Sequence, residues 1–111
     1  MGKEEKLTKS SQFAAVFGKG RSWANDLMVV KAMPNGMEHN RVGIVASKKI
    51  GNAVVRNRAK RLFREAVRLT PIEPGWDIVI IARKGAVERQ YQDIEPAFIR
   101  LLNRAGLLGK G

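Results

Sequence analysis

The chain has 111 residues, 44% of them hydrophobic, and a formal charge of +11 from 21 Lys and Arg against 10 Asp and Glu. That length supports one domain with a modest core, and the apolar share suits a globular fold rather than disorder. Without cysteine there are no disulfides and no thiolate metal sites. No apolar run approaches the roughly 20 residues of a membrane helix, and the opening MGKEEKLTKSSQ lacks the apolar centre of a signal peptide. A cytoplasmic protein is expected, with nucleic acid as the leading partner class, because Lys and Arg beside phosphates release condensed counterions.

Residues 1–6 are polar and read as a flexible tail. Ser10 or Ser11 can cap a short helix through Phe17, stopped by Gly18 and Gly20. Phe13 and Phe17 lie four apart and share a helix face. Leu27–Met33 (LMVVKAM) is rich in β-branched residues and reads as a strand, with turn chemistry in Pro34-Asn35-Gly36. Arg41–Ser47 reads as a second strand running antiparallel to it. Gly51 and Asn52 suit a tight connection and an N-cap, and a helix over 53–69 should stop before Pro71. Pro74-Gly75 turns the chain into Trp76–Arg83 (WDIVIIAR), whose near-continuous Ile and Val predict a strand covered on both faces. After a polar loop to Gln92, Asp93 can cap a last helix to Ala105, with Pro96 in its first turn and Gly106 as its stop. A second tail is expected over 107–111. The whole is an α+β single domain of helices on a sheet.

The helix over 53–69 has two unlike faces. Val55, Ala59, Leu62, Phe63, Ala66 and Val67 recur at helical spacing and predict a core stripe. Asn57, Arg61, Arg64 and Arg68 line the opposite side, flanked by Arg58 and Lys60. Across residues 41–68 nine Lys and Arg meet one acid, Glu65, so this stretch carries +8 of the net +11. A solvated helix face usually mixes signs for i,i+4 pairing; this one crowds like charge, which folding alone does not reward. Structured RNA is the favoured partner. Arg meets phosphate bidentately and stacks on bases, Asn57 can bond sugar, phosphate or a base edge, and Lys48 and Lys49 stand near a helix N-terminus that favours anions. A basic membrane-surface helix fits less well, since the apolar stripe suits packing on a sheet. For Phe13 and Phe17, core packing competes with stacking on an unpaired base; Trp23 and Trp76 read as core or core-edge residues.

Protein-borne catalysis is not expected. His39 is the single histidine and falls in a turn, so a two-histidine ribonuclease site cannot form. The acids are scattered, which argues against a metal-dependent nuclease, and Gly18-Lys19-Gly20 fits no phosphate-loop spacing. No catalytic or metal-binding residue is predicted.

Residues 47–64, SKKIGNAVVRNRAKRLFR, resemble the signature of the protein component of bacterial ribonuclease P. Phe13 and Phe17 with GKGRSWAN, RVG at Arg41, WDIVIIAR and the last helix extend the likeness over roughly residues 7–102. The resemblance implies an αβββαβα sandwich with a mixed four-stranded sheet and a left-handed βαβ crossover (ribosomal protein S5 domain 2-like), against the right-handed default. It implies the non-catalytic subunit of an endoribonuclease that removes the 5′ leader from precursor tRNA. The large RNA subunit would perform the hydrolysis, with Mg²⁺ on RNA and substrate and one protein per RNA. Carried over residue by residue, Lys48, Lys49, Asn52, Arg56, Asn57, Arg58, Lys60, Arg61, Arg64 and Arg68 are candidates for binding the catalytic RNA. Phe13, Phe17, Lys31, Arg56 and Asn57 are candidates for holding the single-stranded leader. The chain departs from the pattern at Lys31, where the family has an aromatic, at Lys6 in place of Arg, and at Val45 and Ala46, where a Ser is replaced. The alternatives are a ribosomal-type rRNA-binding protein with no processing role, an autonomous RNA hydrolase, and a DNA-binding protein, the last without a marked major-groove helix.

Overall fold

The computed structural model describes residues 5–110. Its elements run β1 (Glu5–Lys6), α1 (Ser10–Lys19), β2 (Arg21–Ala24), β3 (Met28–Pro34), β4 (Arg41–Val45), α2 (Ala53–Leu69), β5 (Trp76–Ala82) and α3 (Tyr91–Ala105), with 3₁₀ turns at Lys48–Ile50 and Lys84–Ala86. They form one mixed sheet of order β1-β4-β5-β3-β2. It has five strands where four were expected. The addition is β1, two residues long and therefore without periodicity; β2 (RSWA), the third strand of the expected order between α1 and α2, carries no alternating pattern either.

Strand β5 sits at the centre because its residues can be buried on both sides. Ile78, Val79 and Ile80 expose no surface. It pairs antiparallel with β3 and parallel with β4, so β3 and β4 run in opposite directions, as expected, but are separated by β5 rather than bonded to each other. Parallel neighbours need a crossover, and α2 supplies it between β4 and β5. One sheet face, with Val30, Ala32, Val42, Ile78 and Ile80, packs against Ala59, Phe63, Ala66 and Val67 of α2 and Ile94, Phe98, Leu101 and Leu102 of α3. The other face carries a smaller cluster in which Val79 meets Leu7 and Val16, with Phe13, Met33, Val45 and Ile81 at its margin.

The boundaries of α2 match the sequence reading because its signals are local. Asn52 Oδ1 accepts the Val55 N–H at 3.0 Å, and the Thr70 N–H closes the last turn on the Ala66 carbonyl just before Pro71. Gly51 has φ 151°, and a Cβ there would come within 2.8 Å of Val55 Cγ1, so glycine is required where the chain enters the helix. The other caps differ from expectation. For α1 the cap is the Gln12 side chain, whose Oε1 accepts the N–H groups of Thr8 and Lys9, not the Ser10 or Ser11 hydroxyl. Asp93 lies inside α3 and reaches back to the Gln90 N–H. Because α3 starts at Tyr91, Pro96 falls in its second turn, where its missing N–H leaves the Gln92 carbonyl without a helical donor.

Both expected tails are partly structured. Glu5 and Lys6 pair with Arg41 and Val42. Leu107 is buried, its carbonyl accepts the Glu73 N–H, and the Gly109 N–H donates to Pro71. Backbone bonding to distant segments orders these stretches, which composition alone could not show. Residues 1–4 and 111 lie outside the described residues.

One buried carboxylate fastens the β4–β5 junction. Asp77 is 4% exposed and receives a two-pronged bond from Arg41, Nε to Oδ1 at 2.8 Å and Nη2 to Oδ2 at 2.6 Å, plus the Asn35 amide at 3.0 Å. Burial pushes the Asp77 carboxyl up, but the Arg41 and Asn35 hydrogen bonds and the Arg41 charge outweigh it and hold the pKa below the usual carboxylate value of 3.8. A carboxyl whose folded pKa is depressed adds stability above its unfolded pKa and loses it as pH falls through the folded one. Asp77→Asn should therefore cost about 1–3 kcal/mol at pH 7 and weaken the loss of stability below about pH 4, read by urea unfolding at pH 7 and pH 3. Equal acid sensitivity in both proteins would show that Asp77 does not govern that limb.

Candidate nucleic-acid interface

The apolar stripe of α2 fixes which side chains face outward. With Ala59, Phe63, Ala66 and Val67 buried in the sheet contact, Asn57, Arg61, Arg64 and Arg68 are exposed, and Arg56, Arg58 and Lys60 are half-buried at the margins. Six cations therefore stand on one helix. Among the described residues only Arg68 of these six has an acidic partner, Glu65 one turn earlier. That hydrogen bond is the main cause of the upward shift in Arg68 and the downward shift in Glu65. The rest of the field is left uncompensated.

Arg58 behaves differently from its neighbours. Its Nη1 donates to the Val87 carbonyl at 3.2 Å and its Nη2 to the Arg89 carbonyl at 2.8 Å. Arg56 Nε is buried with no hydrogen-bond partner. Lys48 and Lys49 are exposed on the 3₁₀ turn before α2, which Ser47 caps by accepting the Lys49 N–H. Asn52, a candidate RNA ligand by resemblance, has its side-chain oxygen engaged in capping α2 and only its amide N–H₂ to offer.

The face of the sheet under α1 separates Phe13 from Phe17. Phe13 is half-buried, and a Cβ on Gly43 would come within 2.5 Å of its Cε1, so the ring lies directly on the β4 backbone. Phe17, one turn along α1, is 44% exposed. Lys31 stands on the same sheet face: the register aligns Gly43 with Val79, Val79 with Lys31 and Lys31 with Ser22. Two strand spacings place Lys31 about 10 Å from Gly43. An apolar ring and a cation thus lie two strands apart on this sheet face, with Val79 fully buried between them.

A pocket of about 450 Å³ joins the two candidate sets at the β1–β4 edge. Its apolar lining is Leu7, Phe13, Val42, Ile44 and Val67, and Lys6, Arg64 and Arg68 supply cations at its wall. Phe17, Lys31, Arg56 and Asn57 lie outside that lining. Lys6, read as tail and named above only as a departure from the family pattern, and Leu7, given no role there, are brought here by the pairing of β1 with β4.

The geometry offers no catalytic constellation among the described residues. His39 Nε2 lies 2.9 Å from Glu5 Oε1 at the sheet edge, away from any nucleophile. Among the described residues no three of His, Asp and Glu converge as a metal site, and no helix is long and apolar enough to cross a membrane.

A family model described as Ribonuclease P matches residues 1–106. The chain belongs to the ribonuclease P protein family. It is 43% identical over 108 residues to the ribonuclease P protein component of Clostridium botulinum (strain Langeland), covering 95% of this chain and 97% of that one. The ribonuclease P protein of Staphylococcus aureus superposes with a TM-score of 0.85 at 35% identity, over 96% of this chain and all of the other. A mutant of the S. aureus protein with defective mRNA degradation activity superposes with a TM-score of 0.84 at 36% identity, over 93% of this chain and 89% of that one. Family membership carries the role of tRNA 5′ processing together with an RNA subunit, within an endoribonuclease complex.

If the outward face of α2 meets RNA phosphates, Arg61→Ala or Arg64→Ala should lower the slope of log K against log salt by about 0.7–0.9 per lost contact. Unchanged slopes would remove that face from the interface. Gly43→Ala should lift the Phe13 ring from β4 and cost about 1–3 kcal/mol; a variant as stable as the parent in urea unfolding would show that the ring adapts freely.

Proposed function

We propose that α2 and the Lys48–Ile50 turn hold the catalytic RNA while the sheet face beside α1 captures the single-stranded 5′ leader of precursor tRNA. The observation that carries this reading is the uncompensated charge of α2, where five of six cations lack an acidic partner among the described residues. A compact RNA fold presents many phosphates at short range, and neutralising them releases counterions. The leader, being single-stranded, offers unstacked bases to an aromatic surface, each stack contributing about 1–3 kcal/mol. Phe17 is exposed enough to stack. Phe13 forms the floor, and Lys31 supplies a phosphate contact where the family resemblance implies an aromatic.

Within this scheme the protein binds and orients, and the hydrolytic chemistry belongs to the RNA. Mg²⁺ would sit on the RNA and substrate, where phosphate oxygens provide the hard ligands it prefers; among the described residues no three of His, Asp and Glu converge. The protein would act in the cytoplasm, one copy per RNA.

A second reading has one observation in its favour, the mRNA degradation activity attached to the S. aureus relative. It predicts that the RNA-free protein cleaves RNA. The isolated position of His39 beside Glu5, without a second base or a nucleophile, favours the first reading.

The distinguishing measurement compares precursor and mature tRNA binding to the reconstituted holoenzyme. Leader capture predicts tighter binding of the precursor, and Phe17→Ala should reduce that preference by about 5–160-fold, the equivalent of one to three kcal/mol of stacking. Equal affinities for the two tRNAs would rule out leader capture. Cleavage of precursor tRNA or mRNA by the protein alone would revive the second reading.

A further inference from the structure

Strand β1 stops one rung short of covering β4. It pairs only with Arg41 and Val42, the Glu5 N–H donating to the Asn40 carbonyl and the Leu7 N–H to the Val42 carbonyl. The chain then turns away, since the Thr8 and Lys9 N–H groups bond the Gln12 side chain at the start of α1. Backbone polar groups alternate in direction along a strand, so those of Ile44 point to the same side as those of Val42, while Gly43 and Val45 face β5. Among the described residues no further strand lies on that side, and the Ile44 N–H and C=O are left without a strand partner. Such groups are satisfied by water or by a ligand where the protein itself does not reach them.

The pocket of about 450 Å³ opens at this rung, with Ile44 in its lining, and its size is that of a small-ligand site. It lies between two layers. Leu7 and Phe13 bound it from the α1 side of the sheet and Val67 from the α2 side, so the space continues the plane of the sheet past β4. A flat body with apolar faces and a hydrogen-bonding rim fits such a slot, its faces against side chains and its rim toward the Ile44 backbone. Lys6, Arg64 and Arg68, all exposed, stand at its wall. Glu5 is the one acid in the lining, and its Oε1 lies 2.9 Å from His39 Nε2. Arg68 is bonded to Glu65 through Nε and Nη2 and keeps Nη1; Arg64 and Lys6 have no acidic partner among the described residues. A flat heterocycle with anionic groups attached is what an unpaired nucleotide presents. An extended peptide would also take up the Ile44 groups as an added strand, but it brings no phosphates to Lys6 and Arg64.

We propose that this slot takes the base of one unpaired nucleotide of the catalytic RNA, with the Ile44 N–H and C=O bonding its edge and Lys6 and Arg64 meeting its flanking phosphates. The proposal rests on the reading of this protein as an RNA-binding subunit and adds to it a base-binding site at the open edge of β4. Two of the three cations at the wall belong to α2, the helix assigned to the catalytic RNA, while Phe17 and Lys31 of the leader set lie outside the lining. That division selects the RNA subunit over the leader as the source of the nucleotide. Phosphate contacts alone fix register, whereas a base held at its edge lets the protein distinguish one RNA from another.

The chain has no cysteine, so Thr8→Cys, at an exposed position beside the slot, carries a single photo-crosslinker. In the reconstituted holoenzyme with bound precursor tRNA it should mark an unpaired nucleotide of the RNA subunit. Marking of the leader, of a second copy of the protein, or of paired nucleotides alone would overturn the proposal. Binding of the full chain to a ribonuclease P RNA transcript gives a second readout. Ile44→Phe places a ring in the slot and should weaken binding by about 5–160-fold, the loss of one base contact. The slope of log K against log salt should stay as in the parent, because every cation remains. Lys6→Ala should instead lower that slope by about 0.7–0.9. An Ile44→Phe protein that unfolds in urea like the parent and binds like it, or whose slope falls, would overturn the proposal, and so would an unchanged slope in Lys6→Ala. Absence of salt-dependent RNA binding in the parent protein would instead refute the underlying reading.

Discussion

Helix α2 can bury Ala59, Phe63, Ala66 and Val67 only by turning its cations outward, and most of this molecule follows from that division. The four apolar residues fill the space over β4 and β5 and hold the crossover between them. Among the described residues nothing neutralises the opposite side beyond the Glu65–Arg68 pair. Self-repulsion on that side opposes folding, and the buried contact of the helix with the sheet offsets it. A fold that tolerates such crowding presents a surface whose most favourable state is against a polyanion.

The two sides of the sheet then divide the work. The α2–α3 side is the larger core and is closed to ligands. The α1 side is a thin cluster with Phe13 half-buried and Phe17 exposed at its margin, while Val79 between Phe13 and Lys31 is fully buried. The short β1 strand links the two: by pairing with β4 it brings Lys6 and Leu7 to the edge where Phe13 approaches Arg64 and Arg68. Under the proposed function, leader and catalytic RNA would be held on adjoining surfaces, an adjacency through which one domain would orient a substrate on a ribozyme.

How much of this was legible in the sequence depended on how local each signal is. The limits of α2 could be read because Asn52, Gly51 and Pro71 act within a few residues of the helix ends, and the stripe of Val55 to Val67 repeats over four turns. Strand β5 could be read because seven almost wholly apolar residues leave no exposed face. Strand β1 could not, since two residues carry no periodicity. The central place of β5 was hidden because strand order depends on which partners cover its two edges, not on chain order. Phe13 and Phe17 look alike as i,i+4 aromatics, and only Gly43 beneath the first explains why one is floor and the other exposed. Arg58 looked like one more member of the RNR run, because its carbonyl partners lie some thirty residues downstream and backbone acceptors leave no mark on composition. The family likeness supplied the candidate roles of the ten helix and turn residues; the physics of the chain supplied the charge that makes those roles reasonable.

The central claim is that the exposed guanidinium cluster is shaped for one folded RNA and is not merely sticky toward negative charge. Competition binding at physiological ionic strength tests it most directly, with the isolated protein offered its ribonuclease P RNA in the presence of excess heparin or unrelated duplex RNA. The account predicts that the ribonuclease P RNA stays bound at competitor concentrations that strip nonspecific complexes. Displacement of that RNA as readily as any other polyanion would contradict it.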